Sequence, residues 1–242
     1  MKKTLSILIV AFVMTAMVSC GEKDNTPSNG GGNSNGNSNN DSNTPAGWVD
    51  LGLPSGLLWA ECNLGANTPE EWGDYFAWGE TETKSAYNWD TYRYGHSINE
   101  LTKYCYEVES GYNGFTDTLT LLEPEDDAVM VHIGNGARMP TKNEWTELKE
   151  NTVSEWTTRN GVNGRLFTAE NGQSIFLPAA GSRFNNDHDT SGTWGHYWTS
   201  SLVVYGGCFY SHSFHFTDEL CDVSADSRNT GFSVRAVRPR QR

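Results

Sequence analysis

The side chains best suited to chemistry are concentrated in the C-terminal part of the chain. Four of the six histidines lie there, at His188, His196, His212 and His215. The segment 192–216, GTWGHYWTSSLVVYGGCFYSHSFHF, is rich in aromatic residues and contains no lysine, glutamate, glutamine or methionine. Histidine serves in catalysis, metal binding and recognition because it titrates near neutral pH. The stretch is therefore a hydrophobic core, a catalytic pocket or a contact surface.

Catalysis is the least favoured of these three interpretations. Ser200, His196 and Asp187 could be combined into a serine-hydrolase triad, but such combinations arise by chance in a serine-rich chain. No G-x-S-x-G nucleophile elbow is present. We therefore predict that the protein is not an enzyme and has neither catalytic residues nor a cofactor.

Metal-binding motifs are also weak in this sequence. EPEDD (123–127) and NNDHD (185–189) offer the oxygen ligands that calcium prefers. The acids of the first group are equally explained by their position at a helix start. No C-x-x-C pair occurs, so a zinc or thioredoxin-type site has little support. We predict no metal site, and calcium binding is left open.

The loop SRFNNDHDTSGTWG (182–195) is the best candidate for a binding surface. Its Asn, Asp and Gly residues are also typical of a solvated loop made of turns. Aromatic residues beside adaptable polar residues favour binding, because they give a large contact area at low entropic cost. The predicted ligand-contact residues, expected on one exposed face, are Phe184, Asp187, His188, Asp189, Trp194, His196, Tyr205, His212, His215 and Arg228.

Two helices and several strands are predicted to position these residues. LEPEDDAVMVHIGNG (122–136) has a proline where a first helical turn tolerates it, and glycines at its end. MPTKNEWTELKEN (139–151) carries the capping box Thr141-x-x-Glu144, followed by Trp145 and Leu148 on one face.

The strand signals lie mostly after these helices. SIFLPAAG, HYWTSS, CFYSHSFHF and GFSVRAVRP are β-rich, with glycine-rich turns between them. GDYFAWGE (73–80) is typical of a strand buried on both faces, and residues 80–118 are expected to form long, ordered loops. The predicted fold class is α+β.

The N-terminal residues indicate export. Residues 1–19 have a charged start, a short apolar run and small residues before Cys20, as in a secretory signal peptide. MVSCG resembles a lipobox, so Cys20 is predicted to be lipidated, with palmitate for example; the alternative is an ordinary cleavage site. The Asn/Gly/Ser-rich residues 20–47 are expected to form a disordered tether, and 48–242 one domain.

Charge and cysteines limit the possible partners and cross-links. The chain has 30 acidic and 17 basic residues, a net charge of −13, which excludes a nucleic-acid partner that needs basic patches. Cys62, Cys105, Cys208 and Cys221 allow three disulfide connectivities. Cys208 and Cys221 could close a short loop, and free buried thiols are equally compatible with the sequence.

Several phrases give a family resemblance, among them VDLGLPSGLLWAECNLGA, GDYFAWGET, RMPTKNEW, SIFLPAAGSR, YWTSS and GFSVRAVRP. They resemble the Fib_succ_major paralogous-domain lipoproteins of gut anaerobes over nearly all of residues 48–239. RMPTKNEW and GFSVRAV also resemble the formylglycine-generating type of C-type-lectin-like fold. The resemblance implies two helices around a small twisted antiparallel sheet, with long ordered loops. The copper-binding cysteine pair of the oxidases is not matched by Cys208 and Cys221.

The resemblance also assigns the core of the C-terminal half. Matched to the family pattern, Phe214 and Phe216 are the buried pair of their strand, which sends His215 to the opposite face. Trp198, in YWTSS, is expected in the core. Some proteins of this broader group are targets of diversity-generating retroelements. The lack of Lys, Gln and Met from 182 to 230 fits such diversification, as it fits ordinary sheet and turn segments.

Together these observations predict a binding lipoprotein of the bacterial outer membrane, exposed at the cell surface. Residues 183–230 would contact a protein or glycan ligand, and the membrane would be reached only through the N-terminal lipid. The alternative is a structural or assembly lipoprotein that contacts a neighbouring envelope protein. A formylglycine-generating-type enzyme is the third interpretation.

Overall fold

The computed structural model describes residues 44–240. The signal peptide, Cys20 and most of the predicted tether lie outside the described residues. There are two helices, α1 (Ala128–His132) and α2 (Lys142–Glu150), in this part of the chain. Its strands are β1 (Trp48–Val49), β2 (Leu57–Asn63), β3 (Tyr75–Phe76), β4 (Thr152–Arg159), β5 (Val162–Ala169), β6 (Ser174–Pro178), β7 (Ser182–Phe184), β8 (Asp187–Asp189), β9 (Gly195–Leu202), β10 (Tyr210–Phe216), β11 (Cys221–Ser227), β12 (Phe232–Ser233) and β13 (Arg235–Pro239).

The predicted α+β class, with two helices around a small sheet, is wrong. The structure is mostly β, with 38% strand and 12% helix. One predicted helix shrinks to a 3₁₀ turn at Pro124–Asp126 followed by the five-residue α1. The other is α2, with nine residues. Neither helix is long enough to form a layer of its own, so sheets make most of the framework.

Four sheets arrange the strands. A five-stranded sheet has the order β11-β10-β9-β12-β3, and its pairs are antiparallel except β12 with β9. A three-stranded sheet, β1-β2-β13, joins the first and last strands. A second three-stranded sheet, β4-β5-β6, and the hairpin β7-β8 complete the set. Since β2 pairs with β13, the two ends of the described chain lie beside each other.

The five-stranded sheet lies between two hydrophobic cores. Tyr197, Phe214 and Phe216 pack on one side with Trp145 and the β4-β5-β6 sheet. Trp198 and Phe232 belong to the second core, which also holds β3 and much of residues 87–139. Alternation along β9 and β10 explains this division, since neighbouring side chains leave opposite faces. The predicted burial of Phe214, Phe216 and Trp198 is confirmed, and Phe232 and Val234 are buried with them.

The β4–β5 hairpin is the largest element that the sequence predictions missed. Its strands pair over their full length, from Thr152 with Ala169 to Arg159 with Val162. The connecting residues Asn160 and Gly161 both have positive φ, 49° and 83°. Asn-Gly is a strong signal for a two-residue hairpin turn, because both central residues of that turn need positive φ. The Asn-Gly pair at 160–161 therefore indicates this hairpin from the sequence alone.

Helix α2 begins as predicted. The Thr141 hydroxyl accepts a hydrogen bond from the Glu144 backbone N–H at 3.3 Å, and a Glu144 carboxylate oxygen accepts from the Thr141 N–H at 2.8 Å. This reciprocal pair is the capping box. Trp145 and Leu148 are buried on the inner face. The capping box therefore fixes the start of α2 and, with it, the position of these two buried side chains against the five-stranded sheet.

Cys105, Cys208 and Cys221 are free thiols. The short loop that a Cys208–Cys221 disulfide would close is therefore not formed. Cys105 and Cys208 are buried, and burial raises the pKa of the Cys105 thiol to about 12. No helix among residues 44–240 is both long and apolar enough to cross a membrane.

Candidate functional site

Three neighbouring strands bring two histidines and one aspartate together. His196 lies on β9, His215 on β10 and Asp226 on β11. His215 is directly opposite His196 in the antiparallel pair, so both side chains leave the same face of the sheet. One nitrogen of each imidazole and one carboxylate oxygen all lie within 4.8 Å of one another. These three half-buried residues are called the His–Asp cluster below.

The His196 imidazole is held between two aromatic rings. The Trp194 ring stacks on it at 5.4 Å between centroids and 6° between planes, and the Phe232 ring stacks at 4.8 Å and 18°. Its Nδ1 is buried and has no hydrogen-bond partner within residues 44–240. Burial lowers the pKa of His196 to about 4; Asp226 opposes this shift and His215 adds to it. The ring is therefore neutral at pH 7 and fixed in orientation.

The other two members of the cluster are held less tightly. The Ser213 hydroxyl donates a hydrogen bond to Oδ2 of Asp226, which orients the carboxylate. The His215 ring meets the Trp194 ring edge-on, with centroids 5.8 Å apart. Burial lowers the pKa of His215, and the charges of Asp226 and Asp222 oppose that shift.

A glycine permits this packing at the start of β9. A Cβ atom on Gly195 would lie 2.1 Å from the Phe216 ring, closer than real Cβ contacts allow. Gly195 also forms an isolated parallel bridge with Gly181, which follows β6. His196 thus enters the sheet directly after a residue that must have no side chain.

The β7–β8 hairpin carries four of the predicted contact residues. Phe184 is 51% exposed, and Asp187 and Asp189 are also exposed. His188 is half-buried instead: its Nε2 lies 2.7 Å from the Ala180 carbonyl oxygen and 2.9 Å from the Tyr75 hydroxyl. His188 therefore attaches the hairpin to the core, while the other three side chains face solvent.

Backbone hydrogen bonds hold this hairpin in place on both sides. The Arg183 N–H donates to the Gly231 carbonyl at 2.8 Å, and the Asn185 N–H donates to the Tyr87 carbonyl at 2.8 Å. The Trp194 N–H donates to the Thr190 carbonyl just after β8. The exposed aromatic side chain of the hairpin is consequently mounted on a fixed backbone, next to the segment that carries Trp194.

Two predicted contact residues lie on the opposite face of β10 from His215. His212 is only 5% exposed, and its Nδ1 lies 3.2 Å from the Ser224 carbonyl oxygen. Tyr205 is 64% exposed, and its ring lies edge-on to the His212 ring with the two centroids 6.2 Å apart. The expectation that all ten residues share one exposed face is therefore wrong, because strand alternation separates His212 and Tyr205 from the His–Asp cluster.

Arg228 is a second correction, since its exposed fraction is 0%. Its guanidinium donates to the Tyr92 hydroxyl and to the carbonyl oxygens of Lys103, Tyr104 and Cys208 at 2.9–3.1 Å. It also lies over the rings of Trp78 and two of the tyrosines. Arg228 cannot touch a ligand at the surface, because its side chain is completely buried and is hydrogen-bonded inside the protein.

The serine-hydrolase combination does not come together either. Ser200 and His196 are four residues apart on β9, about 13 Å at the usual strand rise. Asp187 lies on β8, and no hydrogen bond between described residues joins these three side chains. Ser200, His196 and Asp187 therefore do not form a nucleophile beside its base.

The sequence predictions missed Asp226, which belongs to the cluster, and Ser213, which donates a hydrogen bond to it. The available signal was the pairing of YSHSFHF with CDVSADS through a short turn. In that register Ser213 lies opposite Ser224, and Ser211 opposite Asp226. The polar residues of the two strands therefore share the face of His215, which alternation in β10 alone did not reveal.

No family model, no curated protein and no solved structure matches this chain. The resemblance to Fib_succ_major lipoproteins therefore stays a prediction. What the surface of the protein does is inferred from its geometry alone.

Proposed function

We propose that the protein is a surface lipoprotein whose folded domain binds a protein or glycan ligand. The contact surface would be formed by the exposed residues of the β7–β8 hairpin together with Trp194. The observation that carries this proposal is Phe184, a large apolar side chain left half exposed on a hairpin that backbone hydrogen bonds fix from both sides. Binding residues are commonly placed on loops that a rigid scaffold positions.

The composition of this surface supports recognition rather than catalysis. Phe184 and Trp194 provide apolar area, while Asp187 and Asp189 provide acceptors and negative charge beside it. An aromatic anchor of this kind can dominate the affinity of an interface, because its burial removes a large apolar area from water. The two aspartates favour a ligand with hydroxyl or cationic groups next to an apolar surface.

Site-specific photo-crosslinking tests this proposal. A photoreactive phenylalanine analogue replaces Phe184 in the full chain, and intact cells are irradiated. Tyr112, which is 53% exposed on a 3₁₀ turn outside the proposed surface, provides the matched control position. We expect a discrete cross-linked product from position 184 and none from position 112. Equal labelling at both positions, or none at either, contradicts a contact surface at the hairpin.

The identity of the product separates the binding proposal from its alternative. A permanent partner recovered in equal amount from the envelope would indicate a structural or assembly role. A product whose amount falls when soluble protein is added, because the soluble protein competes for the ligand, would indicate a binding lipoprotein. Phe184→Ala should then weaken ligand binding at least tenfold without lowering the melting temperature, because the side chain is exposed and makes few core contacts.

Diversification by a retroelement remains part of the proposal for this surface. Only exposed side chains can be changed without loss of the fold, and this condition excludes Arg228, His212 and Ser213. Phe184, Asp187 and Asp189 satisfy it. The DNA around the gene tests the idea: a near-copy of the 3′ end beside a reverse transcriptase gene is required.

A further inference from the structure

We propose that His196, His215 and Asp226 form a binding site for a divalent transition-metal ion, zinc in the first place. The three candidate ligand atoms lie within 4.8 Å of one another on adjacent strands of the five-stranded sheet. The three ligand residues are not part of the proposed ligand surface, although Trp194 of that surface contacts His196 and His215.

The set of ligands suits zinc better than calcium or magnesium. Two imidazoles and one carboxylate are a common three-ligand set for zinc, which leaves one coordination position open. Calcium and magnesium prefer oxygen ligands alone. In a tetrahedral zinc site the ligand atoms are about 3.3 Å apart, as bond lengths near 2.0 Å require. The cluster therefore has to contract by about 1.5 Å at most, within reach of small rotations of the half-buried His215 and Asp226.

Two features of the cluster are otherwise unexplained. The buried Nδ1 of His196 has no partner among the described residues, whereas buried polar atoms in proteins are nearly always hydrogen-bonded. The same ring is fixed between Trp194 and Phe232. An imidazole that two rings hold in place, with a buried nitrogen that has no partner, is preorganised to bind a ligand.

The surroundings of the cluster also favour a cation. The Ser213 hydroxyl donates to one carboxylate oxygen of Asp226 and so orients a ligand from outside the coordination shell. The carboxylate that acts on both histidines is Asp226, and Asp222 also acts on His215. Asp222 in turn pairs with Lys149 at 2.9 Å, at the solvent edge of β11. Asp226 is thus the carboxylate that lies beside the position of the ion.

Metal binding to the chelator-stripped full chain tests the proposal. Isothermal titration with zinc chloride is compared among the natural protein, His215→Gln and Asp226→Asn. His96→Gln is the matched control, because His96 is exposed in a loop outside the cluster. We expect one zinc ion per chain, at least tenfold weaker binding in both cluster variants, and unchanged binding in the control. Cobalt(II) should give the intense visible bands of a four-coordinate site in the natural protein and in the control, but not in the two cluster variants.

A measurement on the unaltered protein removes any dependence on how the variants fold. Nuclear magnetic resonance of the imidazole groups, recorded with and without zinc, reports which of the histidines bind. The proposal requires that the resonances of His196 and His215 shift and that those of His96 and His132 do not. It is overturned if other histidines shift, if none shifts at 1 mM zinc, or if folded His215→Gln and Asp226→Asn bind zinc as the natural protein does.

Discussion

At the residue scale, buried arginines connect segments that are far apart in the chain. Arg235 donates to the carbonyl oxygens of Ala60, Glu61 and Phe176, and to the side chain of Asn63, at 2.7–2.9 Å. Complete burial lowers its pKa to about 10, so it stays charged at neutral pH. Arg228 likewise connects Tyr92 and the backbone at residues 103–104 with Cys208. The hydrogen bonds of Arg228 satisfy carbonyl groups of irregular backbone, whereas those of Arg235 join strands β2 and β6.

Replacement of Arg228 should destabilise the protein strongly. Arg228→Ala leaves three carbonyl oxygens and the Tyr92 hydroxyl without a donor and opens a cavity among three aromatic rings. We expect the free energy of unfolding to fall by more than about 3 kcal/mol, measured by urea denaturation. Arg93→Ala is the control, because Arg93 is exposed and covers only the Tyr94 ring; its cost should stay below about 1 kcal/mol. A small effect of Arg228→Ala would contradict the structural role.

Asp126 predicts how stability depends on pH. Burial by itself would raise the pKa of this carboxyl, but hydrogen bonds from Lys103, Tyr104 and Tyr94 outweigh burial and hold the pKa below its usual value near 3.8. A carboxyl with a lowered pKa in the folded state stabilises the protein above its unfolded pKa and loses that contribution as the pH falls. The urea midpoint should therefore decrease from pH 6 to pH 3.

Asp126→Asn isolates this contribution. The variant should be less stable at pH 6, because the charge-assisted hydrogen bonds are weakened, and its midpoint should decrease less on acidification. Some decrease should remain, because Glu144, paired with Arg138, also has a lowered pKa. An identical pH dependence in both proteins would contradict the role of Asp126.

At the element scale, capping and turn residues decide where helices and strands begin. Asp127 ends the 3₁₀ turn and caps α1, accepting from the backbone N–H groups of Val129 and Met130. That cap breaks the predicted long helix into two short pieces. Asn160 and Gly161 reverse the chain between β4 and β5. In both places a local signal set the element boundary.

The capping box of α2 can be tested directly. Thr141→Ala removes the acceptor for the Glu144 N–H and should lower the free energy of unfolding by roughly 1 kcal/mol. Thr146→Ala is the matched control: its hydroxyl donates only to the Lys142 carbonyl within the same helix, so its removal should be nearly neutral. Thermal or urea unfolding of the two variants measures the difference. Equal stability of the two would show that the cap contributes nothing.

At the scale of the whole molecule, the folded domain is joined to an N-terminal segment predicted to anchor it. The described domain begins near Trp48 and ends beside it through the β2–β13 pair. This arrangement leaves the β7–β8 hairpin and the His–Asp cluster on other sheets than the one that bears the termini. A tether at residues 20–47 would then present the domain at a distance from the membrane.

Lipidation of Cys20 is the prediction that belongs to this scale. Cys20→Ala should release the protein from membranes, because two acyl chains hold a protein firmly whereas one binds only marginally. Fractionation of cells that express each form measures the release, and labelled palmitate should be incorporated only into the natural protein. Palmitate incorporation that persists in the variant would contradict the anchor.

The sequence alone determined features that depend on neighbouring residues. The capping box at Thr141, the buried faces with Phe214 and Phe216, and the opposite orientation of His215 all follow from spacing or from a matched pattern. Helix α1 was overestimated because the acids of EPEDD were read as a helix start, whereas Asp127 ends one turn and caps the next. The missed Asn160–Gly161 turn then removed a hairpin from the predicted framework.

Only the tertiary structure decided which polar residues meet. The register between β10 and β11 placed Asp226 near His196 and His215, and a shift of one residue would have sent it to the other face. Arg228 and His212 are buried, although nothing in their sequence context distinguishes them from the exposed residues of the same region. Composition showed that aromatic and histidine residues were concentrated here, but their division between core, cluster and surface depends on strand pairing over long distances in the chain.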